Sequence, residues 1–156
     1  MRTRGIALLI GMLALPLLVA GCGGGSDDSS DGPTISKVAF IKKADAVCSR
    51  GNNRMEIAFA HFLEKNKNIK HPSEADFEAL VGKVVVPNLK REIKEIRALG
   101  APDGDEDKVD GILTALEEGL ETAEGNPQAA VKSSEVVFGI SSRLAKEYGL
   151  EVCGSR

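Results

Sequence analysis

From Ser36 onward the apolar residues of this chain recur every three or four positions instead of every second one, which restricts the fold to packed helices. Val38, Ile41, Ala44, Cys48, Met55, Phe59 and Phe62 fall three, four or seven residues apart and share one face of a first helix, from about Lys37 to about Asn66. Ser36 or Thr34 is placed to cap its start, and Gly51-Asn52-Asn53 predicts a loosened turn within it. Cys48 lies on the same stripe as Ile41, Met55 and Phe62, so its thiol is expected in the core.

The period continues after His71-Pro72-Ser73-Glu74, a turn in which Ser73 and Asp76 can cap a second helix. Phe77, Leu80, Val81, Val84 and Val85 carry its stripe, and Leu89, Ile93, Ile96 and Leu99 prolong it. Pro87 removes a backbone donor and crowds the preceding turn, so a kink or restart is expected there. The β-branched run Val84-Val85-Val86 would suit a strand, but helical stripes flank it and no partner strand is visible.

Gly100 and Pro102 close that helix. Val109, Ile112, Leu113, Leu116 and Leu120 carry a third, and Ala130, Val131, Val137, Phe138, Ile140, Leu144 and Tyr148 a fourth, which starts at Asn126-Pro127 and stops at Gly149. Short links between four amphipathic segments predict an all-α, antiparallel up-and-down four-helix bundle over residues 35–156.

The N-terminus reads differently. Arg2 and Arg4 precede a 15-residue apolar run, Ile6 to Ala20, broken by Gly11 and Pro16. This has the form of an export signal, and it is short of the roughly 20 residues that a membrane span needs. Val19-Ala20-Gly21-Cys22 closes the run and resembles the bacterial lipobox, as does the preceding Leu18. That resemblance implies removal of residues 1–21 and diacylation of Cys22, whose acyl chains would anchor the mature chain to a lipid bilayer. Residues 22–34 carry the small, acidic string GGGSDDSSDGP and are expected to form a flexible spacer.

Three cysteines would leave an odd thiol in an oxidising compartment. With Cys22 assigned to lipid, Cys48 and Cys153 remain as one disulfide pair. The layout of lipobox, spacer, FIKKADAVC (Phe40 to Cys48) and YGLEVCG (Tyr148 to Gly154) is similar to that of small helical lipoproteins of high-GC Gram-positive bacteria. This implies the outer face of the cytoplasmic membrane as the location, and it carries over no activity.

Charge and composition narrow the function classes. The mature chain holds 18 basic and 23 acidic residues, a net −5, which disfavours nucleic acid and polybasic membrane-surface roles. With no Trp and one Tyr, platforms for stacking sugars or bases are scarce.

The densest polar cluster is Asp103, Asp105, Glu106, Asp107 and Asp110. Asp103, Asp105 and Asp107 match the first three calcium ligands of an EF-hand loop, but Lys108 and Thr114 stand where its Gly and Glu belong. Acids complementing a helix N-terminus explain the cluster better, and no metal or other cofactor is expected. His61 and His71 lack partners at metal-ligand spacing, and no residue is singled out as catalytic. Lys90, Arg91, Lys94 and Arg97 interleave with Glu92 and Glu95, the pattern of a solvated, mutually paired face. The expectation is a non-catalytic binding or scaffolding module, the alternative an envelope hydrolase or metal-dependent enzyme with its site between helices.

Overall fold

The computed structural model describes residues 34–67 and 71–155, and all regular secondary structure among them is helical. The leader, Cys22 and the spacer as far as Pro33 lie outside the described residues.

Helix α1 (Lys37–Lys65) starts where Ser36 Oγ accepts the Ala39 amide at 3.3 Å. It runs about 43 Å at 1.5 Å per residue. The expected loosening at Gly51-Asn52-Asn53 does not occur, and the helix passes through without a break. Gly51 is buried there, and its missing side chain admits a residue of a neighbouring helix.

Helix α2 (Glu74–Leu80) opens with a reciprocal capping box: Asp76 Oδ2 accepts the Ser73 amide at 2.8 Å while Ser73 Oγ accepts that of Asp76 at 3.3 Å. The chain continues as a π turn (Val81–Val85) directly into α3 (Val86–Arg97). Pro87 is the reason for the wide turn. Its ring would press on the carbonyl four residues back, and the turn, closed by the Val86 amide donating to Val81 O, relieves that contact just upstream. Asn88 Nδ2 donates to Val84 O at 2.7 Å, so the disturbed carbonyl row is partly satisfied by a side chain. The valine run is therefore helical, and the anticipated kink or restart takes the form of a π turn.

Gly100 and Gly104, both at positive φ, shape the link to α4 (Glu106–Gly125). Every residue of the expected α4 stripe is buried. The last expected helix is two: α5 (Pro127–Lys132), capped by Asn126, and α6 (Ser134–Tyr148), which stops at left-handed Gly149. Ser133 separates them. The break turns Val131 outward, and further along α6 Ile140 is 60% exposed, so Ala130, Phe138, Ala145 and Tyr148 carry the buried face. In α1, Val38 and Phe59 are likewise exposed although both sit on the expected stripe.

Helix α4 packs along α6, α1 along α3, and the short α5 touches α2, α4 and α6. One core cluster joins Phe40, Ala44 and Cys48 to Ile96, Leu113 and Tyr148; a second joins Val81, Leu89 and Ile93 to Leu116, Leu120 and Phe138. Gly119 lets α6 close on α4, since a Cβ there would meet Phe138 Cδ1 at 2.7 Å.

Cys48 and Cys153 form a disulfide, with their Cα atoms 5.2 Å apart. It closes a loop of 105 residues, which the chain-entropy treatment values at roughly 4–5 kcal/mol. Asp45 Oδ1 reinforces it by accepting the backbone amides of Val152 and Cys153 at 3.0 and 3.1 Å. The C-terminal turns are thus docked on α1, with Leu150 only 2% exposed.

Candidate functional site

Where α1, α3, α4 and α6 face one another they leave a cavity of about 280 Å³. Its wall is mostly aliphatic and aromatic: Leu89 and Ile96 from α3, Ile112, Leu113 and Leu116 from α4, Phe138 and Ala145 from α6. Phe40 and Met55 supply the α1 side, and Val85 of the π turn borders it. The partly buried Met55 and Val85, with the exposed Ser134, mark its outer side. Phe40 and Met55 are fifteen residues apart on α1, so the lining extends about 22 Å along the helices at 1.5 Å per residue.

Three buried polar residues reach this wall, Glu92, Ser141 and Ser142. Ser141 Oγ donates to Phe138 O at 2.8 Å, one turn back in its own helix. Glu92 is 2% exposed. Its Oε1 lies 3.4 Å from Cys48 Sγ, a plain contact because a bridged sulfur carries no proton to donate. Its Oε2 sits against the backbone of Gly51. Arg54 Nη2 would lie 3.8 Å from the same Gly51 Cβ position, which brings the guanidinium close to the Glu92 carboxylate. Arg54 also approaches Glu95 Oε1 at 3.6 Å, and Arg50 takes the other Glu95 oxygen at 3.4 Å.

Glu92 thus corrects the expectation of a solvated face at residues 90–97. The face is split: Glu92 turns inward, while Arg97 grips Glu117 with two bonds of 2.6 and 3.0 Å and Lys90 reaches Glu124 at 3.0 Å, both on α4. A signal for Glu92 was present. It falls three residues after Leu89 and four before Ile96, both on the apolar stripe, where an acid is out of pattern.

The acids near Asp103 disperse. Asp103 Oδ2 accepts the Thr34 hydroxyl at 2.8 Å, and Asp107 is exposed in the first turn of α4. Asp105 turns toward Tyr148, whose hydroxyl donates to Oδ2 at 3.0 Å, and toward Lys108 and Lys37 at 2.6 and 3.5 Å. The Lys108 ammonium holds the Asp105 carboxyl below the ordinary carboxylate range, with help from Tyr148 and Lys37. Burial, together with the adjacent carboxylate, pushes the Tyr148 hydroxyl up to about 12. Lys37 also lies over the Tyr148 ring, 4.2 Å from its centre, and Phe40 meets that ring edge-on.

Both histidines are exposed, and among the described residues no group of three His, Cys, Asp or Glu side chains is arranged to hold a metal. No helix among them is long and apolar enough to cross a membrane. The arrangement suits retention of a small apolar molecule, oriented by few polar groups. No protein-family model, curated protein or solved structure matches this chain.

Proposed function

We propose that this chain is a lipid-anchored extracytoplasmic binding module that holds a small, largely apolar molecule between its helices without transforming it. The cavity carries the reading: it is concave, aliphatic, and supplied with a few buried polar groups, the usual make-up of a small-molecule site. The residues on which an enzyme reading would rest, His61 and the acids from Asp103 to Asp110, are not part of the cavity wall.

Anchorage rests on the lipobox-like Leu18 to Cys22, and export is supported by the Cys48–Cys153 bridge, since disulfides persist in oxidising compartments. On this reading residues 1–21 are removed, Cys22 is acylated, and residues 22–34 tether the domain at the outer face of the cytoplasmic membrane. We read α1, the α2–α3 unit, α4 and the α5–α6 unit as the four members of an antiparallel up-and-down bundle.

Detergent phase partitioning of the full chain expressed in a bacterium tests the anchor. The wild type is expected in the detergent phase and Cys22→Ala in the aqueous phase; equal partitioning of the two would overturn the anchor. Addition of small apolar compounds to the Ile35–Arg156 region of the full chain, followed by thermal unfolding, tests the binding module.

A further inference from the structure

We infer that the inter-helix cavity takes up unsubstituted hydrocarbons and excludes molecules of the same shape that carry a carbonyl or other hydrogen-bond acceptor into it. This rests on the binding reading above and specifies its ligand class.

The polar side chains that reach the inner wall are engaged within the chain. Ser141 Oγ donates its one proton to Phe138 O at 2.8 Å, inside its own helix. Both Glu92 oxygens lie against α1, at Cys48 Sγ and at Gly51, and Glu92 and Ser142 have interactions of their own within the chain. Cys153 contributes a bridged sulfur, which has no proton to give. Ser134 is exposed at the outer side, and no Lys, Arg or His lines the cavity. The backbone adds nothing, since amides in the middle of α3, α4 and α6 bond along their own helices.

A ketone, ether or carboxylate drawn between these helices therefore gives up its bonds to water and meets no donor in return. A methylene in the same place has no such bonds to lose, and it gains contact with the carbon that makes up most of the wall. Discrimination arises from rejection of the polar competitor rather than from a bond to the favoured ligand.

Volume sets the size. An apolar cavity of about 150 Å³ accepts benzene, so in proportion a volume of about 280 Å³ suits a hydrocarbon of roughly eleven carbons. The long wall, from Phe40 to Met55 along α1, favours a molecule with an extended alkyl portion over a compact ring system.

Butylbenzene and butyrophenone test this as a matched pair. They share a ring and a chain and differ at one position, where the ketone has a carbonyl in place of a methylene. The full chain, isotope-labelled at its methyl groups, is titrated with each in detergent-free buffer at neutral pH, and methyl NMR reads both affinity and place. Butylbenzene is expected to bind and to shift the methyl signals of Leu89, Ile96, Leu113 and Leu116. Butyrophenone should bind about tenfold more weakly or less. In Ala130→Leu, which places extra carbons at the wall, butylbenzene affinity should fall about tenfold or more while the helical circular dichroism spectrum is retained. If that variant does not fold, the methyl shifts of the wild type locate the site. Equal affinity for the ketone would overturn the hydrocarbon class and leave the binding module standing. Binding of neither probe would overturn both. Shifts confined to methyls outside the wall, or butylbenzene binding unchanged in a folded Ala130→Leu, would overturn the assignment to this cavity.

Discussion

Gly51 of α1 lies directly against Glu92 of α3, so closely that a Cβ atom on Gly51 would fall on the carboxylate oxygen Oε2. Two otherwise unfavourable choices, a glycine inside a long helix and an acid inside a core, explain each other. The glycine provides the space in which the acid is seated.

Gly51→Ala should therefore destabilise the protein by about 1–3 kcal/mol, although alanine is the better helix former. Gly111 of α4 and Gly139 of α6 have nothing within 4 Å of the Cβ position, and alanine there should stabilise by about 0.5–1 kcal/mol. Urea unfolding midpoints compare the three. A Gly51→Ala midpoint as high as that of Gly111→Ala would contradict the seating.

Asp45 accepts two backbone amides of the C-terminal turn from across the fold. Asp45→Ala should cost about 1 kcal/mol, the lower end of the range for leaving donors without a partner, because the two amides are partly buried. Amide hydrogen exchange offers a local check. The Val152 and Cys153 amides should lose protection while those of α4 keep theirs.

Tyr148 and Asp105 predict opposite pH limbs. The folded-state pKa of Asp105 is depressed, so its contribution is present above the ordinary carboxylate value of about 4 and is lost as pH falls through the native value. Tyr148 is raised to about 12, so its contribution is whole below the unfolded value of about 10 and disappears as pH climbs toward 12. In urea titrations, Asp105→Asn should flatten the acid limb and Tyr148→Phe the alkaline one. An alkaline limb unchanged in Tyr148→Phe would contradict the assignment.

Arg97 and Glu117 make the best-formed surface pair, yet both side chains are more than two-fifths exposed. Arg97→Ala should cost no more than about 1 kcal/mol, and less in high salt. Leu116→Ala, one residue away from that pair in sequence but within the core, should cost about 2–5 kcal/mol at any ionic strength. Thermal melts at low and high salt separate the two cases.

How far the sequence could be read depends on how completely each helix is surrounded. All five stripe residues named for α4 are buried, because α3, α5 and α6 all pack on that helix. In α1 the same rule placed Phe59 inside and the structure leaves it 42% exposed. Periodicity states which residues share a face, and it says nothing of where a partner helix ends. The disulfide was legible from thiol parity, and the capping box at Ser73 from local chemistry, since both depend on few residues. The cavity was not, and the one signal for Glu92, an acid on the apolar stripe of α3, is outweighed by the lysines around it until the glycine on another helix is placed over it.

The π turn at Val81–Val85 has a wider meaning for this pairing. Each residue of an α-helix advances its successors by 100°, and a wide turn stores one residue more than the regular winding uses. Winding the same residues as regular α-helix would swing every later side chain of α3 about the axis, carrying Glu92 away from Gly51 and Leu89 away from the core. The angular setting of Glu92 is thus decided two turns upstream of it, by a miscount in the backbone that Pro87 makes worthwhile.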